Sequence, residues 1–409
     1  MISTLLLGAA MARDCTVLRG GLVYLPEGPK AGVDVEVVDG RIARVGPALD
    51  SPGCAVVSIE GKTLTPGFIE VQSQIGLVEI GQESATHEDG GGHASADVVD
   101  GYNPASTVIP VTRMAGITSA IAVPVGGLVA GRSAWFDLNG DSQAEALQRA
   151  PVAISATING SAAVSLAQLR LLFEDARAYA ANRAAYEQNR TRDYVAERQD
   201  LEALQPMLRG EIPLVVSVDR ASDIEALLRF AKDQRIKIVI SGGGEAWKLA
   251  DAIAAAGVPV IVDPLLYGPG SFDQIAARPD NAALLQAAGV TVILSTFSTH
   301  NARTLSQSAG NAVREGMPHD AAIAAVTSAP ARVFGVSDHG QIAPGAKANL
   351  VIWSGDPLEL LTSVEGVYIS GESIPLSSRQ TALRDRYRAL PGRPVALDPS
   401  QTRGTKDGQ

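Results

Sequence analysis

Between residues 67 and 296 the chain repeats one rhythm: a short apolar, β-branched run, then a polar stretch whose apolar positions recur at helical spacing. The runs at 67–74, 118–123, 134–138, 152–157, 214–219, 236–241, 258–263 and 290–296 predict strands, and the spacing at 224–232, 245–256 and 282–288 predicts helices between them. Strands covered on both faces read as continuous apolar runs, so this alternation predicts an α/β fold with a parallel sheet. Upstream, residues 33–46 alternate apolar and polar around Asp39-Gly40, the signature of a hairpin. The stretch 165–208 carries Arg170, Glu174, Arg177, Arg183, Glu187, Arg190, Arg198 and Asp200 and predicts a pair of solvated helices, with a lid or partner-binding role as the alternative. After Leu376 the pattern dissolves into Ser, Arg, Pro and Gly, and residues 390–409 read as disordered.

Length and composition narrow the class. A chain of 409 residues suits a barrel of about 250 residues with a smaller companion. The formal charge of −10 argues against nucleic acid or an anionic membrane as partner, and no apolar run reaches the roughly 18 residues of a membrane span. At the N-terminus, Leu5-Leu6-Leu7-Gly8-Ala9 leads into Ala10-Met11-Ala12, a small-x-small pattern with no basic residue before it. It reads as the remnant of an export signal, with a buried first strand as the alternative; export places the protein in the periplasm or outside the cell, and the other reading in the cytoplasm. Cys15 and Cys54 are disulfide candidates in an exported protein and buried thiols in a reducing one.

Two segments carry a resemblance. Thr65-Pro66-Gly67-Phe68-Ile69-Glu70-Val71-Gln72-Ser73-Gln74 resembles the first barrel strand of the amidohydrolase superfamily, which reads Pro-Gly-apolar-Ile-Asp-x-His-x-His. Gly340-Gln341-Ile342-Ala343-Pro344-Gly345-Ala346-Lys347-Ala348-Asn349-Leu350-Val351-Ile352-Trp353 is similar to the family's Gly-x-Ile-x-Pro-Gly-Lys-x-Ala-Asp-Leu-Val-Val segment, with Asn349 where aspartate is usual. The resemblance, of imidazolonepropionase and dihydroorotase type, implies a (β/α)8 TIM barrel over residues 65–340 and a small β-sandwich built from 13–64 and 341–376. Residues 1–12 are then the signal remnant and 377–409 a tail. It also implies zinc or another divalent metal, hydrolysis of non-peptide C–N bonds in amides or cyclic ureides, and assembly as a homo-oligomer or with a related amidohydrolase.

The residues that would hold the metal differ from the family pattern at every position. Gln72 and Gln74 stand for the two histidines of the first strand. No lysine occurs between Lys62 and Lys232 and no glutamate within 150–163, where the fourth strand normally offers a ligand. No histidine lies between His93 and His300; the family's two further histidines fall at Ser217 and at Ser241 or Gly242, and Phe297 replaces the general-base aspartate. Glutamine and serine are weak oxygen donors, whereas zinc sites use imidazole, thiolate and carboxylate. A metal lowers the pKa of bound water from 15.7 to about 7, about 12 kcal/mol of hydroxide stabilisation that these side chains cannot replace. The expectation is therefore no metal and no cofactor.

Other residues remain as candidate chemistry. His87-Glu88-Asp89-Gly90-Gly91-Gly92-His93 with Asp97 has a ligand-like mix, but its spacing matches no zinc pattern and a solvated loop is the plainer reading. Ser241-Gly242-Gly243-Gly244-Glu245-Ala246-Trp247-Lys248 is either a tight strand-to-helix turn or a nest for a small anion beside Lys248. At strand ends, His300, Asp219 and Asp263 are the acid or base candidates, and Gln72, Gln74, Ser217, Arg220, Ser241, Gly243, Lys248, Ser295 and Asn301 the pocket candidates. Asp219 has the alternative of pairing with Arg220 or capping a helix near Ser222. The sequence thus points to a pseudo-enzyme that binds a small ligand or an active relative, with an unconventional C–N hydrolase and a purely structural protein as alternatives.

Overall fold

A computed structural model describes residues 15–158 and 160–388. The signal-like segment and residues 390–409 lie outside the described residues. Five strands open the chain: β1 (Cys15–Leu25), β2 (Gly28–Val38), β3 (Arg41–Gly46), β4 (Ala55–Ser58) and β5 (Thr63–Pro66). Asp39 and Gly40 take φ 49° and 78°, giving the β2–β3 hairpin the turn that its sequence predicts. Eight strands follow: β6 (Phe68–Ser73), β7 (Ile117–Ala122), β8 (Val129–Asp137), β9 (Leu147–Thr157), β10 (Leu214–Val218), β11 (Ile238–Gly242), β12 (Val260–Val262) and β13 (Val292–Leu294). The chain returns with β14 (Leu350–Trp353), β15 (Val364–Ile369) and β16 (Glu372–Ile374). Both chain ends share one sheet, ordered β16-β15-β14-β5-β1-β2-β3 with β4 beside β1, packed over Leu18, Val35, Ile42, Leu64, Ile342 and Leu350. Cys15 and Cys54 are joined in a disulfide there, with Cα atoms 4.7 Å apart.

The middle strands form a nearly closed, TIM-like barrel in strict sequence order from β6 to β13. Period-two alternation sends Ile69, Val71, Ile121, Val215, Val239, Ile261 and Ile293 to the inner core and Leu214, Val216, Ile238, Ile240, Val260 and Leu294 to the layer beneath the helices. One strand departs from the parallel expectation. β8 runs antiparallel to both β7 and β9. The link from β7 to β8 spans only 123–128, with Gly126 and Gly127 at φ 112° and 65°, and a parallel crossover needs a dozen or more residues.

One helical expectation is corrected. Helix Ala162–Ala181 buries Leu166, Leu169, Phe173, Ala176 and Tyr179 at i, i+3, i+4 spacing, so only its other face is solvated. Arg379–Arg388 forms a helix with no buried residue, in the region where the apolar pattern fades; its Arg, Gln, Ala and Leu content favours helix without a core face.

β8 ends on Asp137, which is buried against the returning chain. Its carboxylate accepts Ser119 Oγ at 2.7 Å, Asn349 Nδ2 at 3.0 Å, Lys347 Nζ at 3.0 Å and His339 Nε2 at 3.1 Å. This explains Asn349: an aspartate there would set two carboxylates at hydrogen-bond distance, and one would need a proton. Asn349→Asp should therefore lower stability by about 1–3 kcal/mol near neutral pH, read as a drop in the unfolding midpoint that shrinks in mild acid.

Candidate ligand site at the barrel mouth

The C-terminal ends of β10 to β13 surround a pocket of about 260 Å³ whose wall includes Ser217, Asp219, Ser241, Asp263, Gln274 and Phe297. Alternation explains the first four: Ser217, Asp219, Ser241 and Asp263 continue the inner-facing series begun by Val215, Val239 and Ile261. Two clefts of about 820 Å³ lie elsewhere. One lies beside the starts of β11 and β12 and includes Leu228 and Phe334; the other flanks residues 92–94 and 186–200. Chemistry in such barrels belongs to the C-terminal strand ends, which favours the smaller pocket.

Asp219 accepts the Gly244 N–H at 2.9 Å and Gln274 Nε2 at 3.0 Å. Gly242, at φ 91°, permits this approach, since a Cβ there would stand 2.7 Å from Asp219 Oδ1. Among the described residues Asp263 accepts one hydrogen bond, from the Leu265 N–H at 2.8 Å, and burial pushes its carboxyl above the usual carboxylate range. Ser241 Oγ is buried without a hydrogen-bond partner. Phe297 sits at φ 49°, a left-handed conformation that a bulky side chain rarely takes, with its side chain partly exposed at the pocket wall.

The glycine-rich turn 241–248 is a closed turn rather than an anion nest. Its amides are spent internally: Gly243 on Val218 O, Gly244 on the Asp219 carboxylate, Glu245 on Asp219 O, Ala246 on Gly243 O and Trp247 on Asn281 Oδ1. Lys248 is exposed and pairs with Glu245 at 3.1 Å. Burial opposes the Glu245 charge, yet the Ala221 and Ala276 amides and Lys248 hold its carboxyl below the usual range. Arg220 pairs with Asp273, so Asp219 neither pairs with its neighbour nor caps the helix Ala221–Gln234.

The remaining candidates stand outside the pocket wall. Gln74 exchanges hydrogen bonds with Thr299, its amide N–H reaching Thr299 Oγ1 at 2.9 Å and its Oε1 accepting that hydroxyl at 3.0 Å. Gln72 is half-buried and its amide donates to Glu70. Ser295 is buried and donates to Glu70. His300 is exposed, with Nε2 3.0 Å from Glu79 O, and Asn301 is exposed beside it. The loop histidines also disperse: His87 reaches Ile80 O, His93 lies 3.4 Å from Asp200, and Asp97 pairs with Arg132.

The donor set does not fit a zinc-type metal. No imidazole or thiolate lines the pocket wall, whose charged donors are Asp219 and Asp263 alone. Among the described residues, the one group of three His, Cys, Asp or Glu side chains with donor atoms within 4.8 Å of one another is Cys15, Glu36 and Cys54, whose thiols are consumed in the disulfide. Gln274, 55 residues from Asp219 at the end of the short 3-10 helix Phe272–Gln274, and the wall role of Phe297 escaped the sequence reading.

Known proteins place this geometry. A family model described as the amidohydrolase family matches residues 248–375. The amidohydrolase tasK of Hapsidospora irregularis is 23% identical over 87% of this chain and 43% of its own length. A dihydroorotase of Solibacter usitatus is 41% identical over 20% of this chain and 18% of its own. This chain thus spans less than half the length of these curated relatives. The solved structure of an amidohydrolase from Thermotoga maritima superposes with a TM-score of 0.78 and 26% identity, covering 88% of this chain and 99% of that one.

Proposed function

The chain belongs to the amidohydrolase superfamily, and on that premise we propose that its barrel mouth binds a small molecule without metal-dependent hydrolysis. The observation that carries this reading is the donor set: Ser217, Ser241 and Phe297 line the strand ends where the family presents two histidines and the general-base aspartate. The sheet made by both chain ends is then the family's companion β-sandwich, beside a barrel over 65–340. The Cys15–Cys54 disulfide favours an oxidising location, the periplasm or outside the cell. Self-association or pairing with an active relative fits the same scheme.

Asp263 supports a second reading, a metal-free hydrolase of small amides or cyclic ureides. A carboxyl with raised proton affinity beside a pocket is a candidate for acid or base work. A turnover screen with small amides and cyclic ureides separates the two. The binding reading expects no turnover, with or without added zinc. Turnover independent of metal and lost in Asp263→Asn would establish the second reading, and zinc-stimulated turnover would contradict both.

A further inference from the structure

We infer that the barrel mouth takes a small organic cation with N–H donors, an amidinium, guanidinium or primary ammonium, held by Asp219, Asp263 and the Ser217 and Ser241 hydroxyls against the Phe297 ring. This rests on the small-ligand reading of the same pocket and names its ligand class.

Charge is the first argument. The pocket wall carries two carboxylates and no lysine, arginine or histidine. The nearest cations in sequence are engaged elsewhere, Arg220 with Asp273 and Lys248 with Glu245. Asp219 is stabilised by the Gly244 amide and Gln274, neutral donors that leave its charge uncompensated. Among the described residues Asp263 accepts one hydrogen bond, from Leu265 N–H, and the partial burial that pushes its half-buried carboxyl above the usual range is the cost that a bound cation relieves.

Ser241 is the independent observation. It is 1% exposed, on the inner-facing series of β11, and its Oγ finds no partner among the described residues. A buried hydroxyl left unpaired costs about 1–3 kcal/mol, which a ligand N–H would recover. An anion is disfavoured because both carboxylates repel it and the turn amides are already spent. The volume, about 260 Å³, is worth about nine waters at roughly 30 Å³ each, room for one small ring with a polar head. An aromatic wall suits such a ring and attracts its positive charge.

The test is isothermal titration of the full chain with three probes of one shape and different charge: benzamidine, benzamide and benzoate. Benzamidine should bind at least about tenfold tighter than benzamide, with benzoate weakest. Asp263→Asn should weaken benzamidine by roughly 10- to 100-fold while leaving benzamide within a few-fold. Ser241→Ala, a smaller change within a strand, should also weaken benzamidine and serves if the aspartate variant does not fold. Benzamide or benzoate binding as tightly as benzamidine would sink the cation assignment while the small-ligand reading stood. Benzamidine binding that neither variant alters would place the probe elsewhere and also refute it, as would failure of benzamidine to bind. The underlying reading fails separately, on zinc-stimulated turnover of amides.

Discussion

Asp137→Ala is expected to cost about 3–5 kcal/mol of folding stability, the penalty for removing one partner of a buried charge network. Asp137 and His339 are both nearly inaccessible, 2% and 3% exposed, and Lys347 reaches the same carboxylate. Without Asp137 the His339 and Lys347 charges and the Ser119 and Asn349 donors lose a common acceptor. Burial opposes the Asp137 charge, but His339, Lys347 and Ser119 together hold its carboxyl below the usual range. Burial likewise opposes protonation of His339, and the Asp137 and Asp338 carboxylates outweigh it, raising the imidazole above its ordinary value. The signs set the pH window. A depressed carboxyl contributes stability that is present above its unfolded pKa, about 3.9, and is lost as pH falls through the lower folded value. A raised histidine contributes stability that is complete below about 6.5 and is lost as pH rises through the higher folded value. Both contributions are complete only between those limits. Urea unfolding across pH should show a stability plateau there in the native chain and a much flatter profile in Asp137→Ala.

Glu70→Ala should be comparably severe, about 3–5 kcal/mol, because Glu70 straps the ends of the barrel together. β6 and β13 are the two ends of the sheet path. Glu70 spans them: one carboxylate oxygen accepts the Ser295 hydroxyl and the Gln72 amide, the other the Thr296 amide at 3.1 Å and hydroxyl at 2.9 Å. Alanine would leave these donors buried around a void. Burial pushes the Glu70 carboxyl above the usual range despite the four bonds. Its stabilising contribution is therefore largest in acid and declines as pH rises through that raised value. Glu70→Gln, which retains one acceptor oxygen and no charge to bury, should cost less than alanine, and thermal unfolding of the two variants checks the order.

The apolar runs of the barrel were legible because strands covered on both faces leave continuous hydrophobic stretches. Strand direction was not. The run around 134–138 carries no sign of polarity, and only the short link through Gly126 and Gly127 reveals that β8 must turn back. At the mouth, Ser217, Asp219, Ser241 and Asp263 could be placed because period-two alternation and the strand ends locate them. Gln274 lies in a single 3-10 turn too short for any periodicity to encode, and Gln74 and Ser295 are held by Thr299 and Glu70 through contacts 225 residues apart. The glycine-rich segment is open in sequence to a tight strand-to-helix turn or a nest for an anion; the fold makes it the turn, and the acceptor that its Gly244 amide meets is the chain's own Asp219. Glu70 was visible in the family-like strand, but its strap role depends on where β13 arrives.

Zinc titration of the metal-stripped, non-reduced protein against a competing chelator tests the central claim most directly, since the intact disulfide keeps Cys15 and Cys54 from acting as ligands. The donor set at the barrel mouth predicts no stoichiometric site at micromolar zinc, and no difference between the native chain and Asp263→Asn. One tightly held equivalent that Asp263→Asn releases would contradict it.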